Sequence, residues 1–370
     1  MTSLAPPPFP TPVYLSARRI TGYVLTEIPR DEQAMAPPTL ERRTSVAGNI
    51  LLLEDQGETT RAYSLQRKIK DSSMHSSVRV GFELNLLPEV GPAMYELVPD
   101  GQCDRLENDD NERKYKMVSV KVFSLQEESN EETTNEVAAL QWITSSGKES
   151  HHLQGPVVVG KDATHIYMIT PYHKEESLFD YCGRMGRLRE DQARCFFRHI
   201  LQGLEELKNL EVCHRGLDLD SILLKGATCT FSNFEHALRI PVSDGQTAVI
   251  RSQEPHGKNP QNVAPELLKS EPFDGNAVDL WSAGVILFQM LLGCIALFDA
   301  PIAEDSKYDE ICIRSDLKGA LQRWMPNDQH PLSAEAIDLL KGMLKADPHK
   351  RLTLPGVQNH PWVMADNKRT

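Results

Sequence analysis

Residues 212–235 read Val-Cys-His-Arg-Gly-Leu-Asp-Leu-Asp-Ser-Ile-Leu-Leu-Lys-Gly-Ala-Thr-Cys-Thr-Phe-Ser-Asn-Phe-Glu. The pair His214-Arg215 stands just ahead of an apolar doublet, Leu223-Leu224, and Phe234 follows. Immediately upstream, Ala193, Phe196, Phe197, Ile200, Leu201, Leu204 and Leu207 recur at intervals of three and four, which predicts an amphipathic core helix. Further helices are expected at about 279–292, 333–345 and 354–359. On the N-terminal side the pattern is different: Ile50 to Leu53, Val78 to Leu87 and Val118 to Phe123 are short apolar stretches between polar segments, as strands require. A β-rich first part and a helical second part, without alternating βαβ units and without an internal repeat, predict an α+β protein of two lobes.

The 370 residues carry 40 Lys+Arg against 52 Asp+Glu, a formal net charge of −12. That balance argues against a nucleic-acid partner or an anionic membrane partner, both of which call for an excess of Lys and Arg. No apolar run approaches the ~20 residues of a membrane span, and Leu280 to Leu292 reads as a buried helix. Met1 to Tyr14 is Pro-rich and lacks the basic and apolar regions of a secretory signal. Seven cysteines at 103, 182, 195, 213, 229, 294 and 312 show neither a CxxC pair nor zinc-like spacing, so an intracellular location, cytoplasmic or nuclear, with reduced thiols is expected.

Pro6, Pro7, Pro8, Pro10, Pro12, Pro37 and Pro38 predict a mobile tail over residues 1–47. Within it Arg42-Arg43-Thr44-Ser45 resembles a site for a basophilic kinase, with Ser45 as the acceptor. Residues 48–83 are expected to be a partly strand-like extension, Asp100 to Lys116 an acidic hairpin insertion, and 364–370 a short tail. His151 and His152 are expected to face solvent and Trp281 and Trp324 to be core; no metal site is expected. Ser243, Thr247 and Ser252 are phosphate-acceptor candidates in the segment 233–266.

Several motifs occur in one order. Lys121 sits on a strand, Glu136 follows on the helical segment Asn135 to Ile143, then come His214-Arg215, Phe234, Ala264-Pro265-Glu266, Asp279 to Gly284, Arg351 and His360-Pro361-Trp362. The series resembles a eukaryotic protein kinase domain of the Ser/Thr type over about residues 84–363. The resemblance implies a bilobal fold, with a small β-rich lobe at about 84–171, a helical lobe at about 172–363 and a nucleotide cleft. It assigns Lys121 and Glu136 to an ion pair that presents the lysine to phosphates, and Ile169 to Tyr172 to the hinge, with Thr170 as gatekeeper. It places Gly91 and Val98 in the phosphate-covering loop, where Ala93 and Glu96 replace glycines, and Leu223 beside the nucleotide. Glu266 and Arg351 match a bracing pair, Asp279 the anchor of the His214-Arg215 loop, and Phe234 the centre of the metal-binding triplet.

At the positions that carry chemistry in this family the chain has Gly216 for the catalytic aspartate, Ser221 for a metal-binding asparagine and Asn233 for a metal-binding aspartate. Displaced carboxylates stand nearby at Asp218, Asp220 and Glu235. The resemblance therefore implies weak ATP binding, a poor magnesium site, and a catalytically impaired homologue, a pseudokinase, acting as a scaffold for protein partners such as kinases or their substrates. Two alternatives stay open: an unconventional ATP-dependent Ser/Thr protein kinase, and a nucleotide-responsive switch without phosphoryl transfer.

Overall fold

The structure, a computed structural model, describes residues 4–27, 43–73, 76–86, 94–98, 116–125, 130–147, 150–155, 157–172, 176–226, 228–243, 246–252, 259–326 and 332–366. It divides into two compact units. One comprises Pro12–Thr133 and Pro156–Lys174, the other Met1–Thr11, Thr134–Gly155 and Glu175–Thr370.

Among the described residues the first unit holds eight strands: β1 (Leu15–Glu27), β2 (Arg43–Asp55), β3 (Glu58–Ser73), β4 (Ser76–Leu86), β5 (Met94–Leu97), β6 (Met117–Ser124), β7 (Val158–Lys161) and β8 (His165–Pro171). The period of two in β6 sends Val118, Val120 and Val122 to one face and places Lys121 on the other. Antiparallel pairing runs from β1 through β2, β3, β4, β6 and β8 to β7. Parallel pairing of β7 with β1, at Leu15 with Gly160 and Ser16 with Lys161, closes the ring. β5 bridges β4 and β1. Ala17, Leu51, Leu53, Tyr63, Leu65, Val118, Val120, Val122, Tyr167 and Ile169 fill the enclosed core, and closure leaves those ladder groups paired with neighbouring strands. Gly81 is required where β4 passes β3, because a Cβ there would lie 2.4 Å from the Ser64 carbonyl oxygen.

This architecture corrects the expected tail over 1–47. β1 occupies residues 15–27 and pairs with β2 from Ser16 opposite Glu54 to Glu27 opposite Arg43. The prolines that dominate the composition of this region all lie outside β1, so its backbone donors are intact and its Ala17 and Leu15 reach the core. Ser45 belongs to β2, its backbone opposite Leu25. The acidic insertion expected at 100–116 lies outside the described residues except for Lys116.

The second unit is helical. Helix α1 (Asn130–Ser145) continues into it from the first unit and is followed by α2 (Leu178–Met185), α3 (Glu190–Asn209), α4 (Pro265–Leu268), α5 (Gly275–Leu292), α6 (Ser306–Tyr308), α7 (Leu317–Trp324), α8 (Ala334–Met343), α9 (Leu354–Gln358) and α10 (Pro361–Met364). Ser177 caps α2 in a reciprocal box with Asp180, satisfying donors the first turn leaves open. α3 buries Ala193, Phe197, Ile200, Leu201, Leu204 and Leu207. α5 starts on the Asp274 cap and stops at Gly293, whose φ of 80° suits glycine. It is the one described helix long and apolar enough to cross a membrane, and 89% of it is buried within the protein. Trp281 is fully buried, whereas Trp324 is half-buried beneath the Lys307 ammonium. His151 is exposed, but His152 is half-buried, stacks on His199 and bonds the Cys229 carbonyl, because the loop is folded down onto α3.

Candidate active site

Two short antiparallel ribbons position the loops of the helical unit: β9 (Val212–Cys213) with β12 (Leu238–Arg239), and β10 (Ile222–Lys225) with β11 (Thr228–Phe231). Between β9 and β10 the chain turns at Arg215, whose φ is 60°. The buried Asp279 of α5 holds that turn: its Oδ2 accepts the His214 N–H at 2.7 Å and its Oδ1 the Arg215 N–H at 2.8 Å. Burial raises the Asp279 carboxyl to about 7, against the opposing pull of these two amides. His214 is also fully buried. Its Nδ1 accepts from the Gly216 N–H at 3.3 Å, so Nε2 carries the hydrogen that it donates to the Ser232 carbonyl at 2.9 Å. Burial lowers this imidazole to about 4 and keeps it neutral. The buried Phe234 ring lies 4.7 Å from the His214 ring.

Gly216 contributes no side chain to this loop. Two residues on, Asp218 and Ser221 bind each other reciprocally: Ser221 N–H donates to Asp218 Oδ1, Asp218 N–H to Ser221 Oγ, and Ser221 Oγ–H to the Asp218 carbonyl, each at 2.9 Å. The Asp218 carboxyl is half-buried, and burial raises its proton affinity. Asp220 is exposed. Asn233 sits at φ 62°, a left-handed conformation that asparagine tolerates, at the head of a 3₁₀ turn, Phe234–His236. The Glu235 carboxylate lies 3.5 Å from His236 Nε2. Leu223 is half-buried on β10 and bridges to Ser177.

Asn135, which the motif reading used only as the first residue of a helical segment, donates from Nδ2 to both Glu235 O and Ala237 O at 3.0 and 2.8 Å. It ties α1 to the start of the 233–266 segment; the next residue, Glu136, is fully buried. No local signal in the sequence announces that contact, since its partners are main-chain carbonyls a hundred residues away. Glu266 and Arg351 are a buried bidentate pair at 2.8 and 3.0 Å.

In the β unit, Lys121 is buried on β6, opposite Val78 of β4 and Met168 of β8, its Nζ 4.9 Å from the Phe123 ring centre. Thr170 is buried on β8, and Tyr172 N–H donates to Met117 O at 3.1 Å. Val98 is held by main-chain bonds to Glu83 and Lys116. Gly91 lies outside the described residues.

The closed β unit thus carries a buried lysine on an inner strand, and the helical unit carries a His-Arg loop fastened to a buried aspartate. The protein kinase domain family matches residues 101–363, and the chain belongs to that family. It is 34% identical over 205 residues to the rice serine/threonine-protein kinase SAPK9, covering 54% of this chain and 53% of the relative. It is 28% identical over 251 residues to the Arabidopsis thaliana serine/threonine-protein kinase SRK2F, covering 63% and 68%. An abscisic acid-inducible protein kinase of Triticum aestivum is 30% identical over 205 residues, covering 54% and 58%. The chain thus spans about half the length of several curated relatives it matches.

These relatives overturn the expectation of a catalytically impaired scaffold, since each is named as a protein kinase. That expectation gave more weight to the altered positions Gly216, Ser221 and Asn233 than to the displaced carboxylates beside them. The loop does carry a carboxylate at Asp218, whose Oδ1 accepts the Ser221 N–H.

Proposed function

We propose that the chain is an unconventional ATP-dependent Ser/Thr protein kinase in which Asp218 takes the part of the proton acceptor. The observation that carries this is the reciprocal Asp218–Ser221 arrangement within a loop anchored on Asp279. Gly216 has nothing to accept a proton with, while Asp218 is half-buried, fixed through Oδ1 and shifted toward neutrality by burial, as a general base needs. As a protein hydroxyl attacks the γ-phosphorus, its proton passes to the Asp218 carboxylate and the bond to the departing ADP breaks. Lys121 supplies the positive charge for the nucleotide phosphates.

Protein kinases in general use ATP with magnesium and act on protein substrates. Here the family's two metal-ligand positions hold Ser221, whose hydroxyl is committed to the Asp218 backbone, and Asn233, a neutral amide. A hard dication prefers anionic oxygen, so this donor set does not fit a tightly held magnesium, and ATP is held weakly.

The test is transfer of label from γ-labelled ATP by the purified full chain to a mixed Ser/Thr peptide set, with magnesium, with manganese and with chelator. Transfer is expected, and Asp218→Asn should lower it about 100-fold, the scale of a lost general base; Lys121→Ala should lower it as well. Transfer that survives both substitutions, or nucleotide binding with no transfer at millimolar ATP, would refute the proposal.

A further inference from the structure

The segment Leu4-Ala5-Pro6-Pro7-Pro8 is laid along the 233–266 segment of the same unit. Leu4 uses both of its backbone groups: its N–H donates to Val249 O at 3.0 Å and its carbonyl accepts the Arg251 N–H at 3.0 Å. This is a one-residue parallel bridge beside Ile250. On its other side Ile250 exchanges two bonds of 2.9 Å with Phe273, and the Phe273 ring lies 5.6 Å from the Arg215 guanidinium. The Leu4 side chain is 46% exposed, so backbone groups rather than a side-chain pocket hold the segment.

Three prolines then keep the chain extended without donors of their own. Four residues after Leu4, the Pro8 carbonyl accepts from Arg239 Nη1 at 3.5 Å. Arg239 is itself preset for this: its guanidinium lies 4.0 Å over the Trp142 ring, and its Nε is buried with no hydrogen-bond partner among the described residues.

We propose that the Val249–Arg251 edge, with Arg239 and Trp142, is a binding site for extended proline-rich peptide, occupied in cis by Leu4–Pro8 and open to exchange with a proline-rich segment of a partner protein. Addition of an extended peptide to an exposed backbone edge works through main-chain hydrogen bonds, and here Leu4 alone makes both. A single bridge whose added residue, Leu4, is exposed belongs to the low-stability end of a structure. The cis segment prevails because its tethering gives a local concentration in the millimolar range. The site is independent of phosphoryl transfer, and its test reads binding and exchange only.

The probe is a fluorescent peptide of residues 1–12, titrated by anisotropy into the full chain and into its Leu4→Pro and Leu4→Ala variants. Leu4→Pro removes the donor to Val249 O, so the vacated edge should bind the probe at least about tenfold more tightly than the natural chain does. Leu4→Ala keeps both backbone bonds and should match the natural chain. By hydrogen exchange, the Arg251 amide should open about tenfold faster in Leu4→Pro, with α5 amides unchanged. On the natural chain, millimolar probe should release Leu4 and Ala5, seen as sharpened methyl resonances, and a probe carrying Leu4→Pro should not. Equal probe affinity for the natural chain and Leu4→Pro, an effect of Leu4→Ala equal to that of Leu4→Pro, or no release by millimolar probe would overturn the proposal.

Discussion

Arg351→Ala should unfold the helical unit at markedly lower temperature, for reasons that can be counted from its contacts. Arg351 Nη1 donates to Glu266 Oε1 at 2.8 Å and to Ala277 O at 2.9 Å. Nη2 donates to Glu266 Oε2 at 3.0 Å and Lys345 O at 3.1 Å, and Nε to Lys345 O at 3.2 Å. The two side chains are 1% and 3% exposed, and the guanidinium lies 5.0 Å from the Trp281 ring centre. Truncation strands a buried carboxylate and leaves the Ala277 and Lys345 carbonyls without this donor. Losing one member of a buried pair costs about 3–5 kcal/mol, and a domain of this size shifts by about 2–4 °C per kcal/mol, so the melting temperature should fall by roughly 6–20 °C. Scanning calorimetry of the full chain measures this, provided the transition of the helical unit is followed separately. The decisive comparison is the double variant Arg351→Met with Glu266→Leu, which removes both charges and fills the space with apolar atoms. It should lose less stability than Arg351→Ala alone. A fall of under about 2 °C for the single variant, or a double variant that simply sums the singles, would refute the reasoning.

Two further outcomes follow from the same physics. His214 titrates near 4 in the folded protein because it is buried, against about 6.5 when unfolded. The folded state therefore binds fewer protons between those values, and this group's contribution to stability is present at neutral pH and lost as pH falls from about 6.5 to 4, by up to about 3 kcal/mol. His214→Gln should accordingly be more destabilising at pH 7 than at pH 4.5, read by urea unfolding at both; an equal cost at the two values would contradict the burial argument. In the β unit, Gly81→Ala would bring a Cβ to 2.4 Å from Ser64 O, a clash that backbone must move to relieve. A loss of about 1–3 kcal/mol is expected, and unchanged denaturant midpoints would show that the β3–β4 pairing yields more easily than its geometry implies.

The elements most legible in the sequence were those set by a local period. Val118, Val120 and Val122 alternate around Lys121, and they are the inward face of β6. The spacing of Ala193 to Leu207 is the buried stripe of α3. The ordered motifs pointed to the protein kinase family, which the match over residues 101–363 shows. Averaging failed where composition and period disagreed: the prolines around residues 6–12 and 37–38 concealed a proline-free strand between them. The reciprocal bonds between Asp218 and Ser221 were likewise not legible in the motif spacing, because they depend on how the loop turns.

By itself, then, the sequence determined the helix or strand of its strongly periodic segments, which face of each is apolar, and the family, because periodicity and motif order are properties of neighbouring residues. Only the tertiary structure decided that β7 closes on β1, that Asp279 grips two amides sixty-odd residues away, and that Leu4 is bonded beside Ile250. Each of those contacts has a main-chain group on at least one side, and every residue carries such groups alike. What selects their partners is the packing of the whole chain.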